Sequence, residues 1–575
     1  MQPGLLGFVS VSGVSLVPLV VRVLENGGMQ GFSRMDRDLW DAQDVAGGLV
    51  PAGSVFAFLA VHRRELFDDS FTADLFKSST GRPSLPADLI GTVMVLQALF
   101  DLSDPQTADA VKYDIRWKVA CGRSLTDTSF DPSTLVYWRK RIAASDRPDR
   151  VFDKVAEVIT ETGILKGRRK RCVDSTVFDD AVATQDTVTQ LVAAIRKVAR
   201  LVPGARDVIA QVCVLDYVKA GKPHIDWDDP TAKQELVSAL VNDALAVLAA
   251  LCGPDAPQWD PAAADALGLL ALVAGQDVEP ADGSDGTDGR WRIARRVAPD
   301  RVISTVDPKA RHTRKSKSVR RDGYRAHLAS EPETGLITDA QMTMATGADN
   351  TDAAMGVTMA NRDRFHTTTP TPQTAETAET AETAETAETS VDSGLEVYGD
   401  SAYGSGEARA AYRDAGHDTV IKPKPVQPAV PGGFTIDDFA VDEEQGSVTC
   451  PGGHIRPLTK SRTVTFGKLC TDCPLRARCT TAKAGRSMTI HQFETLLRAA
   501  REQGRTPAFK QDYPTRCNIE RTVAHVATQN GRRIKLRHLG VEANNAWLRT
   551  RAAALNLRTM LRHGLTRSGG AWALA

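Results

Sequence analysis

The sequence predicts a mixed α/β protein with helical insertions, preceded by an all-α segment. Three observations predict it. Residues 55–150 carry apolar side chains at helical spacing with proline-marked helix starts. Two short β-like runs, RCVDSTVF and LEVYGD, each place an aspartate in or at the end of a strand, as Asp174 and Asp400. Long helical stretches fall between these runs and after them, the alternation expected of an α/β unit. A chain of 575 residues suits two to four such units.

Residues 1–54 read as a weakly structured extension. Its apolar stretch LLGFVSVSGVSLVPLVVRVL lacks a basic start and is broken by Gly13, Pro18 and Arg22, which argues against a signal peptide or membrane anchor. Met29 and Met35 offer later starts. No other stretch reads as a membrane span, so a soluble, cytoplasmic protein is expected. In 55–150, LPADLIGTVMVLQALFDL forms one helix, Asp104-Pro105 opens a second that runs through Val119 to Gly122, and Asp131-Pro132 opens a third, STLVYWRKRI. Trp138, Arg139, Lys140 and Arg141 of the third are expected to be exposed or half-exposed. Two short helices with a basic second member fit a helix-turn-helix DNA reader; an ordinary bundle with a solvated basic edge fits equally.

The Asp174 strand opens an α/β core assembled from residues 165–185, 291–427 and 506–567. A helical insertion at 186–290 (QLVAAIRKVARLV, ELVSALVNDALAVLAALC, ADALGLLALVAG) delays its continuation and ends in the linker ADGSDGTDG. β-like segments follow around RVISTV, YRAHLAS and GLITDAQMT. An insert at 368–390 holds five tandem Thr-Ala-Glu triplets, whose period of three gives a helix no stable apolar face. After LEVYGD come helical EARAAYRDAG and strand-like DTVIKPKP, then a cysteine-containing insertion at 428–505.

The chemistry concentrates in three carboxylates. Tyr513, Arg516 and Glu520 are spaced by three and four, so on a helix they share one face; Val523, Ala524 and Ala527 extend it and predict that Glu520 points inward. A carboxylate driven inward needs a cation or a metal ion. With Asp174 and Asp400 it would complete a divalent-metal site suited to phosphodiester chemistry.

These residues resemble the bacterial insertion-sequence transposases of the Asp-Asp-Glu type. One branch has the signature Tyr-x2-Arg-x3-Glu-x6-Lys; Tyr513, Arg516 and Glu520 match, and Ala527 stands where Lys is expected. VDSTVF resembles the family's first aspartate segment and GDSAYGS its second. GRPSLP and FDPSTLVYWR resemble its helical N-terminal domain. The resemblance implies a ribonuclease-H-like core with a helical insertion after an all-α domain. It also implies a two-ion Mg2+ or Mn2+ site on Asp174, Asp400 and Glu520 that cleaves and transfers DNA strands. By the same resemblance Tyr513 and Arg516 would contact phosphate or brace the helix; Ala527 cannot make the missing lysine's phosphate contact, and Arg532 or Arg533 stands near enough in sequence to be the candidate substitute. The implied partners are terminal inverted repeats and target DNA, bound by a homodimer on paired ends, in a cytoplasmic, nucleoid-associated protein without a membrane partner. Asp307 in STVDPKAR is a rival first ligand, whereas Asp179 and Asp180 are expected to be solvated.

Lysine plus arginine equals aspartate plus glutamate at 71 each, so net charge points to no partner. Local charge does: eleven Lys/Arg lie between Arg516 and Arg567, and two further basic runs are Lys309–Arg325 and KGRRKR before the Asp174 strand. Flanking an acidic site, the three runs predict contact with a phosphate backbone. Cys450, Cys470, Cys473 and Cys479 give C-x19-C-x2-C-x5-C, a spacing that suits a structural Zn2+, with His454 a replacement ligand, or a set of reduced thiols. Cys121, Cys172, Cys213, Cys252 and Cys517 are expected to be buried apolar residues. A catalytically decayed DNA-binding relative and a metal-dependent nuclease of the same fold are the competing readings.

Overall fold

The computed structural model describes residues 30–33, 39–76, 83–254, 256–314, 319–366 and 394–575. The apolar stretch before residue 30, the Thr-Ala-Glu tract, Gly81 and Arg82 of GRPSLP, and Lys315 and Lys317 of the second basic run lie outside the described residues. The chain divides into two compact units: one built from residues up to Thr162 together with Arg549–Ala575, the other from Gly163–Leu548. The residues after Leu548 therefore pack with the N-terminal helices, although the sequence reading extended the α/β core to 567.

In the first unit, α1 (Val55–Leu66), α2 (Ala87–Phe100), α3 (Asp104–Tyr113), α4 (Ile115–Ala120), α5 (Ser133–Ala143) and α6 (Arg150–Thr162) follow one another. α2 is apolar on all sides and buries Leu89, Ile90, Val93, Val95, Leu96 and Leu99, as a central helix must. Gly91 permits this, because a Cβ there would lie 2.4 Å from the Phe67 ring. The expected single helix from Asp104 to Val119 is two: α3 starts in a capping box of Ser103 and Gln106, and Asp114 leaves the helical conformation to cap α4. Residues 39–54, expected to be weakly structured, include a helix, Ala42–Ala46, capped by Asp41. The C-terminal strands Leu565–Ser568 and Ala571–Leu574 form a hairpin whose Trp572 packs on Phe58 and His62.

Trp138 on α5 is buried, contrary to expectation, with its ring edge-on to Phe76. Arg139 pairs with Asp104, and Arg141 donates to the Leu75 carbonyl over the Phe76 ring. Two of the three basic side chains of this helix thus hold the bundle together.

In the second unit, β1 (Lys170–Asp179) is followed by α7 (Thr187–Leu201), α8 (Ala205–Val212), α9 (Pro230–Leu251) and α10 (Pro261–Gln276). These helices share an apolar core around Leu191, Ile195, Leu240, Ala244, Ala266 and Leu270. By length and composition α9 is apolar enough to cross a membrane; its stripe Leu236, Leu240, Val247 and Leu251 is buried in this core. Next come β2 (Arg311–Arg314), β3 (Arg320–Ser330), β4 (Ile337–Met344), α11 (Asp352–Asn361), β5 (Glu396–Gly399), α12 (Gly406–Asp414) and β6 (Asp418–Ile421). RVISTV forms no strand; Val302 makes a single bridge to Arg311. Among the described residues the sheet order is β2-β3-β1-β5-β6, with β4 also on β3. β1 is antiparallel to β3 and parallel to β5, and β5 is parallel to β6. This mixed sheet with flanking helices and a helical addition after β1 is consistent with a ribonuclease-H-like fold.

The insertion before the last core helix is a small β module: β7 (Ala440–Asp442), β8 (Ser447–Thr449) and β9 (Ile455–Pro457) form one sheet, β10 (Thr463–Thr465) and β11 (Ser487–Thr489) another. Helices α13 (Glu494–Gln503) and α14 (Cys517–Ala527) follow, and α15 (Val541–Arg562) runs on into the first unit.

Candidate active site

Asp174 and Asp400 come together because β1 and β5 are parallel neighbours. The register pairs Cys172 with Tyr398, so two residues further on Asp174 stands level with Asp400, just beyond the end of β5. Asp174 is mostly buried; its Oδ1 accepts from the Ser175 amide at 2.8 Å, and its Oδ2 lies 3.7 Å from Arg516 Nη2. Burial pushes its carboxyl above the ordinary value; the Ser175 amide and Arg516 oppose this, while the charges of Asp400 and Asp352 add to it. Asp400 Oδ1 accepts from the Ala402 amide at 2.8 Å, which fixes the turn after β5.

Glu520 departs from expectation. Its side chain is 61% exposed, and its Oε1 accepts from Arg516 Nη1 at 2.9 Å. The reason is local: Tyr513–Arg516, with Pro514 near its start, is a 3₁₀ turn, and the α-helix begins at Cys517. The change in pitch rotates the inward face onto Ile519, Thr522, Val526 and Ala527, leaving Glu520 on the flank and Ala524 in solvent. Arg516 bridges the two carboxylates that the sequence joined directly. Burial works against its charge, but Glu520, Asp174 and Asp400 outweigh it and hold the guanidinium above its usual range. Its Nε is buried with no hydrogen-bond partner among the described residues. Tyr513 stacks on Phe509 at 5.0 Å.

Several neighbours went unnoticed in the sequence. Asp352, first residue of α11, pairs with Arg325 at 3.2 Å and lies near enough to Asp174 to raise its carboxyl. Its signal was the strand-to-helix step TDAAMG, with Thr351 as cap. Buried Tyr403, from GDSAYG, feels the charges of Asp352, Asp174 and Asp400, and its hydroxyl has no partner among the described residues. Asp512 accepts from Lys170 on β1 and Tyr398 on β5, and so pins the start of the 3₁₀ turn to both strands that carry the aspartates.

Asp307, the rival, is placed elsewhere: buried, it accepts from Tyr324 Oη at 2.6 Å and from the Gly540 amide. Asp179 pairs with Arg321, and Asp180, expected in solvent, is 3% exposed. One oxygen of Asp180 is buried with no hydrogen-bond partner among the described residues, and burial, then Asp307 and Asp322, push its carboxyl up to about 6. A raised folded value means that stability is greatest with the group protonated and is lost as pH rises from the ordinary carboxylate value toward 6. Asp180→Asn is therefore expected to match the parent near pH 4 and exceed it by about 2 kcal/mol at pH 8, read as the difference in urea midpoints at the two values.

The basic runs divide. In KGRRKR, Arg168 pairs with Glu333, Arg169 with Asp418, Lys170 with Asp512 and Arg171 with Asp363, so four of its five cations have acidic partners within the fold, and Lys166 is exposed. In the second run Lys309 pairs with Glu542, Arg321 with Asp179 and Arg325 with Asp352. The third keeps Arg521, Arg532 and Lys535 exposed. Arg532 and Arg533 form one side of a hairpin with Thr528 and Gln529, turned by Asn530-Gly531 with both residues at positive φ. Arg533 donates to the Val177 carbonyl at 2.6 Å; Arg532 projects from the hairpin. Ala527, in place of the signature lysine, is buried at the root of this hairpin, its carbonyl accepting from Ile534.

A divalent cation would suit part of this arrangement. Two level carboxylates, with Arg516 3.7 Å from Asp174, suit a cation bound between Asp174 and Asp400. Glu520 does not close the set, and among the described residues no three His, Cys, Asp or Glu side chains stand close enough to hold a metal ion. Cys450, Cys470, Cys473 and Cys479 do meet around one cavity in the β module. Cys121 and Cys172 are buried and Cys213 partly so, whereas Cys252 and Cys517 are exposed, contrary to expectation.

Two segments match known families: residues 50–141 match a transposase domain (DUF772), and residues 449–561 match a transposase DDE domain. The second contains the cysteine quartet, Tyr513, Arg516, Glu520 and the arginine hairpin; Asp174 and Asp400 lie between the two matches. No curated protein and no solved structure matches the chain. Each of the two segments is thus similar to a domain found in transposases, one on either side of the strands that carry Asp174 and Asp400.

Proposed function

We propose that the protein is the DNA transposase of an insertion sequence, binding terminal inverted repeats and catalysing metal-dependent strand cleavage and transfer. The observation that carries this reading is the level placement of Asp174 and Asp400 on neighbouring parallel strands, in a chain with two transposase-domain matches. Asp174 and Asp400 would hold Mg2+ or Mn2+, with Glu520 as third ligand only once it leaves Arg516; the bound ion supplies activated water and stabilises the leaving alkoxide. Arg516, held between Asp174 and Glu520, places its guanidinium beside the carboxylates, where it would meet a phosphate oxygen. Tyr513, stacked on Phe509, braces the turn that presents Arg516. Arg532, Lys535 and Arg521 supply exposed positive charge along the same stretch, and Arg532 takes the part of the missing lysine better than Arg533, which is tied to β1. The reaction hydrolyses a phosphodiester at the element's end, and the freed 3′-hydroxyl then attacks a target phosphodiester. A homodimer on paired ends and a cytoplasmic, nucleoid-associated location complete the reading.

The outward Glu520 and the alanine at 527 favour a second reading, a catalytically inactive relative that binds DNA. One assay separates them. Incubated with Mg2+ and DNA carrying the element's flanking inverted repeats, the protein is expected to cut at the repeat ends, and Asp400→Asn and Glu520→Gln to remove cleavage while sparing binding. Binding without cleavage by the parent protein selects the second reading; full cleavage by both variants would falsify the site.

A further inference from the structure

The β module between the core strand β6 and helix α13 has too little apolar core for its size. Its fully buried cluster is Phe439, Val448, Val464, Phe466 and Ile490 with the side chains of Cys470 and Cys479, and the other apolar side chains packed on it, Phe434, Ile436, Val441, Leu458 and Met488, are only partly buried. Its five strands are three residues each. Strands this short, in sheets of two and three, do not hold themselves together, and modules of this size in other proteins need a disulfide or a metal. The cysteines here are free thiols.

All four cysteines of the C-x19-C-x2-C-x5-C pattern, with His454, line a single cavity of about 20 Å³, room for one atom-sized occupant. The backbone is shaped for them. Cys450 closes a tight turn, its amide donating to the His454 carbonyl at 2.9 Å and its carbonyl accepting from Gly453, which has positive φ. A side chain at Gly452 would meet Cys473 Sγ at 3.4 Å and Cys450 Sγ at 3.6 Å, so the turn leaves its free space to those two sulfurs. The Arg476 side chain donates to the Cys470 carbonyl and its amide to the Cys473 carbonyl, tying the close pair into one corner. The Arg486 amide donates to Cys470 Sγ at 3.4 Å, a bond that favours a thiolate over a thiol. The Nε of Arg486, which also lines the cavity, is buried with no hydrogen-bond partner among the described residues. The Arg486 guanidinium lies over the Phe439 ring, and a cationic nitrogen buried without a partner beside four sulfurs suits a cluster that carries negative charge. The sulfurs ring the cavity without closing into a metal-ligand set.

We propose that residues 434–490 are a zinc module in which Cys450, Cys470, Cys473 and Cys479 together bind one Zn2+ that replaces the missing apolar core. Four thiolates on a divalent ion leave a negative cluster, which Arg486 and Arg476 offset. Soft sulfur ligands at this spacing select zinc over the hard cations that carboxylates prefer. Each thiol loses its proton on binding, so loading releases protons and weakens as pH falls. The inference stands independently of the carboxylate site.

The test uses the full chain expressed with added zinc and analysed by native mass spectrometry and metal analysis. One zinc per chain is expected, lost in Cys470→Ser and in Cys473→Ser and kept in Cys252→Ser. A strong chelator is expected to expose new tryptic sites confined to 434–490. Because a serine variant can fail to fold, the parent chain is also loaded with Co2+, where sulfur-to-cobalt charge transfer and tetrahedral visible bands are expected. A chain that carries no zinc and gives four freely titratable module thiols, or a Co2+ complex without the sulfur band, overturns the proposal.

Discussion

Asp174→Asn is expected to remove strand cleavage while leaving the fold as stable as the parent at pH 7, or more so. The two effects have one cause. Asp174 sits where burial already disfavours its charge, with Asp400 and Asp352 adding repulsion against the relief given by the Ser175 amide and Arg516. Its folded carboxyl is therefore raised, so the site is most stable with the group protonated, and that stability is lost as pH climbs from the ordinary carboxylate value through the raised one. Asparagine keeps the shape and never ionises, so its advantage appears at neutral pH and vanishes in acid. Cleavage is expected to fall by about a hundredfold or more, the scale of losing one preorganised charge at a reacting centre. Thermal unfolding with and without Mn2+ links the two. At a hundred times its dissociation constant a cation bound only to the folded state adds about 2.7 kcal/mol, a rise expected in the parent and absent in Asp174→Asn. An equal Mn2+ response in both proteins would mean that Asp174 is not a ligand.

This pairing of Asp174 with Asp400 was legible because each lies in or at the end of a run of strand-forming residues, and neighbouring parallel strands bring such positions level. The helical insertion was legible for the same kind of reason: its apolar periodicity is local and continuous, and its helices pack on one another. Glu520 was misread in direction, since a strict helical phase was carried back through Pro514 into what is a 3₁₀ turn. The arginine signature remained visible, but its geometry now gives Arg516 the place between the acids. The basic runs were the least legible part. KGRRKR has its partners at Glu333, Asp363, Asp418 and Asp512, far away in sequence, so no local pattern could show that most of its charge is already neutralised. The cysteine quartet was readable as a spacing, whereas the poverty of the core around it emerges only from the fold.

The same long-range pairing underlies the second large effect. Arg171 on β1 and Asp363 just beyond α11 form an ion pair, with Nε to Oδ2 at 2.6 Å and Nη2 to Oδ1 at 3.2 Å, their side chains 1% and 3% exposed. Arg171 Nη1 also donates to the carbonyls of Arg168 and Lys170, and Asp363 accepts from the Phe365 amide, so the polar atoms of both groups are engaged. Burying two charges costs nearly as much as their attraction returns, so the intact pair adds little net stability. Breaking it is a different matter, because Asp363 would be left buried and unopposed. Arg171→Met is therefore expected to destabilise the second unit by about 3–5 kcal/mol, and the double variant Arg171→Met/Asp363→Leu by much less. Hydrogen exchange of β1 amides reads this directly, since the strand is anchored to α11 through the pair. Lost protection in the single variant and recovery in the double are expected; a single variant within about 0.5 kcal/mol of the parent would show the pair to be dispensable. Because Arg171 lies three residues before Asp174, cleavage should follow the same order, weak in the single variant and regained in the double.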